Sequence, residues 1–256
     1  MRAALPMYDR VELRAETDKY WSAIATRLAQ DGIAAPAELT RDADRWELWS
    51  APDLLLAQTC GLPFRARLHR DVALVGTPDY GLPGCAPGHY CSVMVVRAGT
   101  SGDLDALSRA RFAYNDPLSQ SGWAAPVDWA GQLGLRFGPL IETGAHIASA
   151  RAVADGRADL AGIDAVTWRL IKRYDAFVSE LREIAMTRPT PGLPYIAAGG
   201  RNTAPIADAV SAAIKDLSLA DRSALGLTGL VHIPREAYLA QGTPPSPDVY
   251  AETLGA

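Results

Sequence analysis

Ser119, Ser121 and Gly122 stand where the chain changes from an extended to a helical pattern, and together they could hold a small oxyanion. The phrase runs Tyr114-Asn115-Asp116-Pro117-Leu118-Ser119-Gln120-Ser121-Gly122. Arg111 to Tyr114 reads as a strand, and Pro117 stops it by lacking an N–H and holding Asp116 extended. Ser119 is a good helix N-cap, and Ser121 to Ala125 reads as a first helical turn. A helix start leaves N–H groups unpaired and carries a partial positive charge, which favours anions. The phrase is not a P-loop, since no Gly-Lys-Ser/Thr follows. It also fits an ordinary strand–turn–helix junction with a serine cap. Pro126 cannot donate to the Gly122 carbonyl, so the helix is expected to kink or end early with its first turn intact.

Further along, His146 follows a Thr-Gly-Ala break and begins a helical pattern. A neutral imidazole donates one hydrogen bond, and an imidazolium adds charge beside an anion. The bland alternative is a surface histidine in a first turn. Asp164 ends the apolar run Leu160 to Ile163 and suits two tasks. It can accept a hydrogen bond from a protonated oxyanion or a ligand amine, or cap a helix over Val166–Tyr174. Tyr8, Gln58 (with Thr59) and Tyr90 fall at strand ends or at a turn-rich boundary, where they can face a cleft; Tyr8 also fits a half-buried aromatic. Trp123 suits packing of helix on sheet, and Trp21, Trp46, Trp49 and Trp129 suit core or surface anchoring. Cys60 with His146 as base is the one nucleophile–base pair on offer, but no neighbour in sequence would lower its thiol pKa. Cys60, Cys85 and Cys91 have no Cys-x-x-Cys spacing and the four histidines are scattered, so no zinc site is expected. Cys85 and Cys91 would pair only in an oxidising compartment; free thiols are the default.

These residues must be positioned by the elements around them. Strand candidates are Ala3–Met7, Leu54–Ala57, Val72–Val75, Val93–Arg97, Arg111–Tyr114, Leu160–Ile163 and Arg182–Met186. Helical patterns cover Thr17–Asp31, Gly144–Asp155 and Asn202–Leu217. Such alternation predicts an α/β architecture with mainly parallel sheets. With 256 residues the chain can form one large domain or two lobes, and turn-rich stretches at 81–88 and 187–194 mark possible crossings. The tail around Gly242–Pro247 is expected to be loose. A net charge of −4 without a basic run argues against a nucleic-acid partner. No apolar stretch approaches the ~20 residues that span a bilayer. The first residues, too short for a leader's apolar segment, read as a strand.

The Asp-Pro-x-Ser-x-Ser-Gly phrase resembles the signature of phosphate-, phosphite- and phosphonate-binding proteins, the substrate-binding components of ABC importers. The resemblance continues, in order, through Pro87–Ser92, Thr143–His146, Gly162–Asp164 and Thr187–Pro194, and so covers most of the chain. It implies a two-lobed fold like the type II periplasmic binding proteins, each lobe a mainly parallel sheet flanked by helices, with the ligand in the interlobe cleft. Residues 1–90 with 189–256 would form lobe I, and 91–188 would form lobe II with the anion-binding turn. The implied ligand contacts are Tyr90 from the first lobe and Ser119, Gln120, Ser121, Gly122, His146 and Asp164 from the second; Tyr8 and Gln58 join them from the first lobe by their place at strand ends. The expected function is capture of a small phosphorus oxyanion by a monomer that hands it to a membrane permease, with no catalysis, cofactor or metal. Location would be periplasmic, or cytoplasmic if the chain is natively leaderless. Relatives that bind sulfonates or thiamine-precursor pyrimidines suggest a different ligand, with Tyr8, Tyr90, Trp123 and Trp168 enclosing a ring or cation.

Overall fold

The computed structural model describes residues 1–100, 103–107 and 109–253. Among them the strands are β1 (Arg2–Ala4), β2 (Leu54–Gln58), β3 (Val72–Asp79), β4 (His89–Tyr90), β5 (Ser92–Arg97), β6 (Phe112–Tyr114), β7 (Leu140–Glu142), β8 (Leu160–Asp164), β9 (Leu181–Met186), β10 (Thr190–Pro191), β11 (Tyr195–Ala198) and β12 (Gly229–Val231). The chain divides into two compact units. One comprises Met1–His89 with Pro191–Ala240, the other Tyr90–Thr190 with Gln241–Ala256. The chain changes unit within β4 and β10, which pair as a short ribbon.

The first unit is built on a five-stranded sheet of order β1-β2-β11-β3-β12. Leu54, Leu55, Leu56 and Ala57 are all fully buried, so β2 reads as a continuous apolar run because both its faces are covered. On one face, helix Arg14–Gln30 contributes Tyr20, Trp21, Ile24 and Leu28, and helix Ala204–Asp216 contributes Ile206, Val210 and Ile214. On the other, Trp49, Phe64, Leu68 and Tyr238 fill the core. Strand β1 stops at Ala4, short of the expected Met7, where Pro6 offers no ladder donor.

The second unit has a five-stranded sheet of order β7-β6-β8-β5-β9. Phe112 of β6 stacks on Phe137 at 3.9 Å, beside Trp123, Met94 and Leu160. Helices His146–Ala154 and Ala165–Tyr174 follow β7 and β8.

Two expectations are corrected. The sheets are mixed rather than mainly parallel: β11 runs antiparallel to both β2 and β3, and β5 to both β8 and β9. Each of these strands follows a crossing and lies between two strands distant from it in sequence, which local alternation of strand and helix cannot reveal. The tail is also ordered, and belongs to the second unit rather than the first. Ser246 caps helix Pro247–Glu252, the Trp123 indole N–H donates to the Pro245 carbonyl at 2.9 Å, and buried Tyr250 accepts from the Phe137 N–H at 3.0 Å. An aromatic clasp thus holds a segment whose prolines alone read as loose.

Candidate functional site

In the second unit, β6 ends at Tyr114 and Asp116 folds the next turn through its carboxylate, which accepts from the Leu118 N–H at 2.7 Å. Ser119 then caps the helix as expected, its Oγ accepting from the Gly122 N–H at 2.9 Å. With that lone pair engaged, the Ser119 hydroxyl hydrogen is directed elsewhere. The Ser121 N–H has no acceptor among the described residues, although the residue is buried. Gly122 is required here by space: a Cβ on it would lie 1.7 Å from Asn115 Oδ1.

The helix does not end at Pro126. Its first turn widens to π geometry over Gln120–Ala124, with Ala124 N–H donating to the Ser119 carbonyl at 3.0 Å, and an α-helix continues over Ala125–Gln132. The wider turn accommodates the proline, so in place of the expected early end there is a local change of hydrogen-bond register.

His146 is brought to this turn. Thr143 latches onto the end of β6, its N–H and hydroxyl both meeting the Tyr114 carbonyl at 2.9 and 3.0 Å. Gly144 supplies a left-handed residue with φ of 80°, and the helix then starts at His146. Nε2 of His146 lies 2.9 Å from Ser121 Oγ. Nδ1 is buried without a hydrogen-bond partner among the described residues. Packing around the ring pushes its pKa down to about 4, against a weaker upward pull from the Gly162 backbone, so the ring is neutral at pH 7. Asp164 is buried at the end of β8 and its Oδ1 accepts from the Thr167 N–H at 2.9 Å, so its capping role is realised. Ser119, Gln120, Ser121, Gly122, His146 and Asp164 therefore all lie in one unit, with the first five around one helix start. Tyr90, expected with the first lobe, begins the second unit, where it is buried.

Tyr8 and Gln58 belong to the first unit. Tyr8 lies four residues beyond β1 with its ring edge-to-face against Tyr80, centroids 5.0 Å apart. Gln58 is buried, and its Nε2 donates to the Tyr80 hydroxyl at 3.2 Å and the Leu193 carbonyl at 3.4 Å. A carbonyl cannot donate, so the Leu193 contact fixes which end of the amide is nitrogen and commits its N–H groups within the unit. Nearby, the Tyr20 and Tyr195 hydroxyls are 3.4 Å apart, and burial raises the pKa of both phenols. Together these residues line a small cavity of about 30 Å³.

Trp123 and Trp168 are not available to enclose a ligand ring. Trp123 is 1% exposed between Phe112, Tyr114 and Tyr250, and buried Trp168 donates to Glu183 at 2.6 Å. All three cysteines are free thiols. Sequence reasoning did not assign Ser92, Thr187 or Asn115 to the site: Ser92 reaches the turn from a distant strand and is held by Thr187, and Asn115 crowds Gly122 from the preceding turn.

Two units, each a mixed sheet flanked by helices, with a serine-capped helix start beyond a strand end, define the periplasmic-binding-protein class. The comparisons place the chain more closely. Residues 53–238 match the model of the ABC-transporter phosphonate periplasmic substrate-binding protein family, and the chain belongs to that family. No curated protein sequence matches it. Among solved structures, PhnD1 from Prochlorococcus marinus (MIT 9301) in complex with methylphosphonate superposes with a TM-score of 0.69 at 15% identity, covering 100% of this chain and 98% of that one. A binding-protein component of an ABC phosphonate transporter from Pseudomonas aeruginosa gives 0.63 at 15% identity, covering 100% and 93%. A Xanthomonas citri protein bound to ATP gives 0.68 at 14% identity, covering 93% and 92%. At these identities the structural likeness speaks for the fold. The family's members are periplasmic substrate carriers, which implies a small ligand and a permease partner. No helix among the described residues is long and apolar enough to cross a membrane.

Proposed function

We propose that this protein captures a small phosphorus oxyanion (phosphonate, phosphite or phosphate) for ABC-type import and performs no chemistry on it. One observation carries the reading. The helix start at Ser119–Gly122 presents, in a buried residue, a Ser121 N–H without an acceptor among the described residues, and a Ser119 hydroxyl whose oxygen is already committed as a cap. An anion with oxygens on a tetrahedral centre meets such donors, and the helix dipole adds to the attraction. His146, Gln120 and Asp164 complete the contacts from that unit. Asp164 would accept from a protonated ligand oxygen or an amine. Tyr90 is a further contact by family resemblance, and Tyr8 and Gln58 are candidates by their place at strand ends. Selectivity follows from buried groups that an ill-fitting ligand leaves unpaired.

The test is the thermal stability of the purified protein against phosphate, phosphite, methylphosphonate, 2-aminoethylphosphonate, sulfate and a thiamine precursor. A ligand at ~100 times its dissociation constant adds about 2.7 kcal/mol to the folded state. A shift confined to phosphorus compounds supports the reading; a shift with sulfate or the pyrimidine alone overturns it, as does none at all.

A further inference from the structure

Pro126 creates a problem in the anion-binding turn that a residue far away in sequence solves. In the π register, Ala124 donates to the Ser119 carbonyl and Ala125 to the Gln120 carbonyl. The next donor would be residue 126, aimed at the Ser121 carbonyl, and proline has no N–H to give. Ser92 of β5 fills the gap: its hydroxyl donates to the Ser121 carbonyl at 2.8 Å. Ser92 is fully buried, and its own N–H donates to Thr187 Oγ1 at 2.9 Å, which ties it to the end of β9. Pro126 in turn packs on Gly162 of β8, where a Cβ would lie 2.3 Å from the proline ring and 3.2 Å from the Ser121 carbonyl oxygen.

The Ser121–Gly122 peptide is therefore gripped at both ends. Its carbonyl is held by Ser92 and its N–H by Ser119 Oγ. Orientation of that peptide decides where the Ser119 hydroxyl hydrogen points and keeps Ser121 Oγ beside His146. We infer that Ser92, braced by Thr187, is a positioning residue for the anion site: it replaces the helix donor that Pro126 removes and so holds the Ser121–Gly122 peptide in its binding orientation. This deepens the oxyanion-binding reading and rests on it for its effect on affinity, but the effect on the peptide itself does not need a ligand.

The experiment is a double-mutant cycle with Ser92→Ala, Pro126→Ala and the combination. Methylphosphonate, phosphite and inorganic phosphate are titrated calorimetrically, and exchange of the Gly122 amide is followed by NMR without ligand. Ser92→Ala should weaken oxyanion binding about tenfold and speed Gly122 exchange by a similar factor, as expected when a buried carbonyl loses its donor. Pro126→Ala should by itself change both little. In the combination, the restored N–H at position 126 should recover most of both losses, which a merely structural role for Ser92 would not produce. Unchanged Gly122 exchange in Ser92→Ala, or a combination no better than Ser92→Ala, overturns the inference. If Ser92→Ala fails to fold, Ser92→Cys, a slightly larger side chain with only a weak donor, is read the same way. Failure of the oxyanion reading is separable: the wild type then binds none of the three probes, while Gly122 exchange still decides the role of Ser92.

Discussion

The two units share a plan, a five-stranded mixed sheet with helices on its faces, yet they treat polar groups at their strand ends in opposite ways. In the first unit, Gln58 at the end of β2 commits its amide N–H groups to Tyr80 and Leu193, and Tyr20 and Tyr195 lie hydroxyl to hydroxyl. Its strand ends form an aromatic, internally bonded wall. In the second unit, the helix after β6 leaves the Ser121 N–H without an acceptor among the described residues, and the helix after β7 brings a neutral imidazole beside the Ser121 hydroxyl. An unpaired buried donor costs stability in the empty protein, about 1–3 kcal/mol, and a ligand oxygen relieves that cost. The contrast teaches that anion affinity should reside in the second unit, and the first should contribute shape.

The harshest way to break this contrast is Gly122→Ala. The new methyl would collide with Asn115 Oδ1, and either the turn or the Asn115 loop must shift. Loss of about 3 kcal/mol in urea unfolding and loss of measurable oxyanion binding are expected. Retained affinity would mean that the turn is not where the anion sits.

Ser119→Ala with Ser121→Ala is more selective. It should reduce oxyanion affinity about 100-fold or more in calorimetry, while loss of the cap costs only ~1 kcal/mol of stability. A melt that collapses in step with affinity would recast both serines as structural.

The pH dependence sharpens the description of His146. Its folded pKa of about 4 lies below the ordinary imidazole value of 6.5. Between those values the unfolded chain takes up a proton that the folded ring refuses, so stability falls as pH drops through that window. Above pH 7 both states are neutral and the residue contributes no slope. The difference in stability between the wild type and His146→Gln, measured by urea melts from pH 4 to 8, isolates this contribution. A flat difference would show that the ring is solvated like any surface histidine.

Gln58→Leu should have the smallest effect. With both N–H groups engaged inside its own unit, its removal should alter oxyanion affinity by less than about fivefold. A loss matching that of the serine pair would erase the contrast between the units.

Much of the local geometry of the second unit's candidate site was legible because its signals are local. Pro117 ending a strand, Ser119 capping three residues ahead and Gly144 turning into His146 each act within a few residues, where sequence and conformation are directly coupled. Asp164 was legible in the same way, as the residue closing an apolar strand and opening a helix. The alternation of strands and helices likewise announced the α/β class.

Other features were decided only when distant segments met. The mixed sense of both sheets depends on where β5 and β11 insert after the chain changes unit. The order of the proline-rich tail depends on Trp123 and Phe137, more than a hundred residues earlier. The Ser121 carbonyl, left without a helix donor by Pro126, takes its hydrogen bond from a serine of β5. Sequence fixes which groups a turn offers, since caps and prolines act on their neighbours. Whether those groups are left for a ligand or consumed by the protein is decided by the tertiary structure, because hydrogen-bond partners are chosen in space.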